Sequence, residues 1–341
     1  MKRNRLLSAV LVFVLIAPSL AWGQAKVGTT GVNFLKIGPT SRGVAMADAF
    51  LPIADDVSAL WYNPGGLVNV KQVQMGLTHV DYPADLLSYD FLGFVQPLPA
   101  MGAAMGVQVY GLYSGEMDET TPERQMGTGR TFGATDIAAG VTYAQRLTDK
   151  FSVGATAKYL QENLADETAL GWAIDVGTFY NTGWRSLRIA MLISNFGPDM
   201  EFISTPFPLP IMFKFGVAAD VMSSTTNRLT LAVEGLHPND NVEELHIGLE
   251  YAFREKAFLR IGKKFNGYQR STYDDYEDDA EDNDPFIEYP LLNDNGTPSF
   301  DGTTFGGGIL FPGLGLGVDY AYAQIGYLGS IHRFSLSYKF R

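Results

Sequence analysis

The chain has 341 residues, no cysteine and a formal charge of −12. The missing thiols exclude a disulfide framework, a cysteine nucleophile and a cysteine-bound metal, and the acidic balance speaks against nucleic acid as a partner. The mean hydropathy is balanced between polar and apolar, too polar for a helical membrane protein but expected of a barrel whose strands alternate lipid-facing with lumen-facing residues.

At the amino terminus Lys2, Arg3 and Arg5 precede an apolar run, Leu6 to Leu20, followed by the small residues Ala21 and Gly23. A basic start, a short apolar stretch and a small-residue cut site predict a Sec-type signal peptide over 1–23. Removing its three basic residues from 25 leaves 22 against 37 acidic ones, a mature charge near −15. No later segment offers about twenty consecutive apolar residues, so no transmembrane helix is expected.

Residues 24–70 lack strand-like alternation. Ser41 to Phe50, rich in small residues, reads as one helix. Asp55 to Leu60 reads as a second, with Asp55 or Asp56 at its N-cap. Asn63-Pro64-Gly65-Gly66 makes a turn. The segment is expected either to fold back into a barrel lumen as a hatch or to pack beneath the barrel on the periplasmic side.

From 71 to 341 the chain breaks into about fourteen alternating segments: 71–80, 87–96, 102–112, 134–146, 151–160, 169–180, 186–195, 211–220, 227–236, 243–254, 257–265, 303–311, 315–323 and 331–341. In 243–254, Leu245, Ile247, Leu249, Tyr251 and Phe253 share one face, with His246, Glu250 and Arg254 opposite. The last strand alternates Phe334, Leu336, Tyr338 and Phe340 with Arg333, Ser335, Ser337 and Lys339. Links after even-numbered segments are short, whereas the longest, 113–133, 196–210 and 266–302, follow odd-numbered ones. Short periplasmic turns alternating with long external loops belong to an outer-membrane barrel, and closure is demanded because lipid cannot satisfy an open sheet edge. The fold class is therefore all-β, a transmembrane antiparallel barrel of about fourteen strands behind a small helical N-terminal hatch or plug.

Lys158, Asp175, Arg188, Lys214, Glu234, Glu250, Arg254 and Arg260 are expected to face the lumen, pairing with one another or with the plug; mixed signs offer no single-sign selectivity. His246 is expected to pair with Glu250. Loop 196–210 is unusually apolar: Phe196, Met200, Phe202, Ile203, Phe207 and Leu209 read either as a groove or docking surface or as side chains folded over the barrel mouth. Acidic loop 274–284 reads as solvated, with divalent-cation binding conceivable but EF-hand spacing absent. The four histidines are dispersed, and no catalytic, cofactor or metal motif stands out.

The stretch FLKIGPTSRGVAMADAFLPIADDVSALWYNPGGL, beginning at Phe34, resembles the N-terminal signature of the PorV/PorQ family, itself similar to the FadL outer-membrane proteins. Arg42, Gly43, Asp55, Asp56, Trp61, Tyr62, Asn63, Pro64 and Gly65 fall on the matching pieces. Gly65 stands where FadL-type hatches usually carry alanine. Residues 228–253 also resemble the barrel of PorV-like chains. The resemblance implies a fourteen-stranded barrel with an N-terminal hatch. It further implies a non-enzymatic outer-membrane protein that binds exported proteins and shuttles them to a surface attachment complex, as in type IX secretion. The alternative it implies is a FadL-like channel for long-chain fatty acids or other hydrophobic small molecules. Expected partners are outer-membrane lipid and lipopolysaccharide, the barrel-assembly machinery through the last strand, and exported cargo or a hydrophobic small molecule, after Sec-dependent export.

Overall fold

Period-two alternation along the chain gives strands with one apolar and one polar face, and in lipid such strands are satisfied only by closing on themselves. The computed structural model describes residues 28–82, 87–266, 302–324 and 329–340. The expected signal peptide, the acidic loop 274–284 and the terminal Arg341 lie outside these residues.

Eighteen strands follow in chain order: β1 Gln74–Asp81, β2 Leu87–Leu98, β3 Ala103–Ser114, β4 Met117–Asp118, β5 Thr131–Phe132, β6 Ala134–Arg146, β7 Phe151–Leu164, β8 Glu167–Asn181, β9 Arg188–Phe196, β10 Met200–Glu201, β11 Pro206–Phe207, β12 Met212–Ser223, β13 Asn227–Pro238, β14 Glu244–Phe253, β15 Ala257–Asn266, β16 Thr303–Phe311, β17 Leu316–Gln324 and β18 Ser330–Lys339. Fourteen of them form one closed antiparallel barrel, while β4 with β5 and β10 with β11 make two small hairpins. Closure is made by β1 on β18, with Leu77 opposite Leu336 and Met75 opposite Tyr338. Every sequence-predicted strand is present, and the outward residues of the last one, Phe334, Leu336, Tyr338 and Phe340, are exposed to the lipid side.

The hydrophobic core lies inside the barrel. Phe34, Leu35, Met46, Phe50, Leu60, Tyr62 and Leu67 of the N-terminal segment pack with Tyr89, Phe91, Tyr110 and Leu160 of the inner wall. The segment therefore plugs the lumen. It runs from the external mouth, where Gly28 N–H donates to Asp240 O at 3.2 Å, to the short-turn, periplasmic end, where Arg146 donates to Val68 O at 3.2 Å.

The two expected helices are shorter than their small-residue composition suggests. One spans Ser41–Val44 and the other Ala59–Tyr62. Ala47 and Asp48 adopt left-handed backbone, φ 54° and 59°, because each is tied to the wall: Ala47 N–H donates to Thr304 Oγ1 at 2.9 Å, and Asp48 meets Lys264 at 2.6 Å. The residue at the N-cap of the second helix is Ser58 rather than an aspartate. Asp56 instead accepts from Ser58 N at 2.9 Å in the turn before it.

Candidate functional site

The plug's irregular backbone leaves amides and carbonyls that no helix ladder satisfies, and buried backbone groups require partners. Wall side chains supply them. Glu234 accepts from Phe50 N and Leu51 N at 3.0 and 2.9 Å, and Gln74 accepts from Val57 N at 3.2 Å. Gln108 donates to Leu60 O at 3.0 Å, Ser152 to Gly65 O at 2.7 Å, and Ser335 accepts from Ser41 N at 2.8 Å. Apart from Glu234, the sequence does not single out these wall residues as plug holders, although Ser335 falls on its inward face, because an inward Ser or Gln is ordinary in any polar lumen.

Glycines set how closely the plug can approach. Gly76 sits opposite Gly93, Gly154 opposite Gly177, and Gly248 opposite Gly262. A Cβ on Gly177 would lie 2.5 Å from Asn63 Oδ1, and one on Gly65 would lie 2.7 Å from Gly177 O. The glycine at 65, where the resemblance leads one to expect alanine, is thus what lets the plug turn lie against the wall. Reading inward glycines across the register of neighbouring strands could have found these pairs.

The resembling motif residues come together inside the lumen. Asn63, fully buried, donates to Leu51 O at 3.0 Å and to Thr178 O at 3.2 Å, and accepts from Gly65 N at 3.0 Å, so it fastens the plug to itself and to β8. Pro64 opens the 3-10 turn Pro64–Asn69 that follows. Gly43 lies against the ring of Tyr62, whose hydroxyl donates to Asp48 at 2.5 Å. Burial raises the Tyr62 hydroxyl pKa, and the Asp48 charge adds to that. The Trp61 ring lies 4.7 Å beneath Lys214 Nζ.

Arg42 is the hub of the charge network. Its guanidinium donates to Glu250 at 3.1 Å, Asp55 at 2.6 Å and Asp56 at 2.5 Å, and covers the Phe50 ring. Burial opposes its charge, but the Glu250, Asp55 and Asp56 carboxylates outweigh burial and hold its pKa above the usual value. Glu250 also accepts from Arg260 at 2.8 Å and Arg228 at 3.2 Å, and Arg260 reaches Asp319 at 2.5 Å. Lys158 pairs with Asp175 at 2.7 Å, and Arg188 with Asp220 at 2.8 Å. Lys214 approaches Glu234 at 4.0 Å.

Two placements correct the sequence reading. Arg254 is not on the lumen face; it sits exposed in the β14–β15 turn with φ 52°, its charge over the Phe253 ring. His246 pairs with Glu244 at 2.9 Å rather than with Glu250. Glu244 is two residues before His246 on the strand and Glu250 four residues after it, and Arg42, Arg228 and Arg260 already occupy Glu250.

At the external mouth the apolar loop divides. Met200 and Leu209 are buried in the core, and the Phe202 and Phe207 rings meet at a tilt with centroids 5.7 Å apart. Gly31 N–H donates to Pro208 O at 3.2 Å. Phe196, 60% exposed, ends β9 opposite outward-facing Ile174, and Ile203, 76% exposed, stands free in the loop, so both are open to contact. At the opposite, periplasmic end a vestibule of about 490 Å³ opens beneath the plug, between Val68, Asn69 and Lys71 on one side and Arg146, Phe179 and Arg188 on the other.

A family model described as type IX secretion system protein PorV matches residues 21–237. Among solved structures, the chain is similar to a FadL homologue from Pseudomonas aeruginosa, with TM-score 0.54, 11% identity, and coverage of 89% of this chain and 98% of that one. It is also similar to the toluene transporter TodX from Pseudomonas putida, with TM-score 0.51, 13% identity, and coverage of 82% and 91%. At such identities the likeness is one of fold. No curated protein matches the sequence.

Proposed function

The chain belongs to the type IX secretion system PorV family of outer-membrane barrels, and from that membership we propose that it receives exported proteins at its external mouth and passes them to a surface attachment complex. The barrel works as a platform rather than as a conduit. One observation carries this reading: the plug is built into the wall by facing glycine pairs, wall-to-backbone hydrogen bonds and the Arg42–Glu250–Arg260 network. Displacing it would strand several buried charges, each of which is costly to leave unpaired. Cargo would meet the exposed Phe196 and Ile203 and the loop that carries them. Sec-dependent export, assembly through β18, and contact with outer-membrane lipid and lipopolysaccharide complete the proposal. Gene deletion in the native host is expected to leave exported proteins in the periplasm, and mild-detergent purification to retain cargo. Unchanged surface display after deletion rejects the reading.

A second reading, FadL-like passage of long-chain fatty acids or other hydrophobic small molecules, is favoured by the same exposed apolar side chains. It requires the plug to move. Normal growth of the deletion strain on every such carbon source rules it out, whereas a bound hydrocarbon with no protein partner replaces the first reading with this one.

A further inference from the structure

The vestibule at the periplasmic end differs in charge from the rest of the chain. The sequence carries a net charge of −12, and exposed Glu167, Asp199 and Glu201 stand at the external mouth beside Asp166, which pairs with Arg130 at 3.6 Å. Beneath the plug the lining has the opposite sign. Of its charged groups, Asp55 is paired with Arg42 at 2.6 Å and Arg188 with Asp220 at 2.8 Å. Lys71 and Arg146, both exposed, have no carboxylate partner among the described residues; Arg146 donates only to the Val68 carbonyl, at 3.2 Å. The lining thus carries two positive side chains, Lys71 and Arg146, that no carboxylate meets among the described residues, beside a half-exposed Asp55 that shares Arg42 with Asp56 and Glu250. Its floor, Val68 to Lys71, is the underside of the plug itself.

We propose that this vestibule docks an acidic, extended segment of a periplasmic protein, its carboxylates held by Lys71 and Arg146. Charge complementarity selects the sign of the occupant. The size, about 490 Å³, falls within the usual range of ligand sites. The remaining lining suits a peptide better than an inorganic anion: Asn69 and Asn181 offer amides to a peptide backbone, and Pro97, Pro99 and Phe179 offer apolar walls to its side chains. A segment seated here touches the plug from below, so it would link periplasmic machinery to the element that reaches the external loops. The inference is independent of what the external mouth binds.

The test uses the full protein in detergent with a short labelled peptide alternating glutamate and alanine. A lysine counterpart and inorganic phosphate serve as comparison probes. Saturable, salt-sensitive binding of the glutamate peptide is expected, weakened roughly tenfold by Lys71→Glu with Arg146→Glu. Both side chains are exposed, and an unchanged melting profile verifies that the double variant folds. The Asn181→Ala variant, which keeps both charges, is expected to weaken the same peptide less. Absence of saturable binding, binding indifferent to the charge reversal, or binding of phosphate without the peptide each overturns the assignment.

Discussion

The amino-terminal strap, residues 28–37, and the body of the plug, residues 41–70, share one lumen but are held differently. The strap hangs from external loops and the upper wall: Thr30 and Lys36 donate to Asp240, the latter at 2.6 Å, Val32 N donates to Glu162 at 3.0 Å, and Gly31 N to Pro208 O at 3.2 Å. The body is held by facing glycines, by wall side chains on its backbone, and by arginine–carboxylate clusters reaching β13, β15 and β17. Movement of the external loops would therefore drag the strap while leaving the body in place. The strap is still pinned in the core by Val32, Phe34 and Leu35, but it lacks the body's arginine–carboxylate clusters. Local opening in proteins is drawn from the less restrained regions, here the one nearest the proposed cargo.

The comparison breaks most decisively at Glu250. Glu250→Ala leaves Arg42, Arg228 and Arg260 facing one another without their shared carboxylate, and removing one partner of a buried ion pair costs about 3–5 kcal/mol. Denaturant unfolding of the folded barrel should move by that much; a shift under 1 kcal/mol would mean the network is not what holds the body. Gly177→Leu comes next. Its side chain would run into Asn63 and Pro64, and overpacking costs about 1–3 kcal/mol. The expected readout is protease cleavage near residues 64–69 together with raised conductance in planar bilayers. Gly235, whose added Cβ meets nothing within 4 Å, is the matched control, and Gly235→Leu should change neither readout.

Asp240→Ala should act on the strap alone. It removes the acceptor of Thr30 and Lys36 and is expected to cost about 1 kcal/mol locally. Hydrogen exchange should quicken over residues 30–36 with the barrel's melting unchanged; equal quickening over 59–66 would join the two regions into one cooperative unit. Ile203→Ser, at a 76% exposed site, should shift stability by less than about 0.5 kcal/mol while reducing cargo retention.

The barrel was legible in the sequence because lipid and lumen impose opposite demands on alternate residues, so Leu245, Ile247 and Leu249 point out and His246 and Glu250 in wherever the strand lies. The plug was legible from the lack of alternation and the small residues over 24–70, which left a periplasmic extension as the alternative, and from its resembling motif. Its local conformation was not, since Ala47 and Asp48 are turned left-handed by Thr304 and Lys264, more than 200 residues away in the chain. Partners of lumen charges were likewise hidden: the arginines around Glu250 come from residues 42, 228 and 260. Periodicity gives the face of a residue, never its neighbour across the lumen. Arg254 marks the limit of even that rule, because alternation stops where the turn begins.

The smallest effect expected is that of mild acid on the plug body. Burial by itself would raise the Asp48 carboxyl pKa, but the Lys264 charge and hydrogen bonds from Lys264 and Tyr62 outweigh it and hold the group below the usual carboxylate range. Asp56 is likewise lowered, burial being outweighed by Arg42 and by hydrogen bonds from Ser58 and Arg42. A carboxyl depressed on folding contributes stability that is fully present above its unfolded value, near 3.9, and is lost as pH falls from there through the folded value. Between pH 7 and 5, roughly the range above that value, these two anchors lose nothing. The Asp48 and Asp56 anchors should thus hold equally at both pH values, read as unchanged protease protection around residues 46–58, and fail only in stronger acid. In Asp48→Asn the charge pair with Lys264 is absent at every pH, so the variant should start less protected and lose less on acidification. Plug release in wild type between pH 7 and 5 would show that groups other than these anchors control the body, and would make it as labile as the strap.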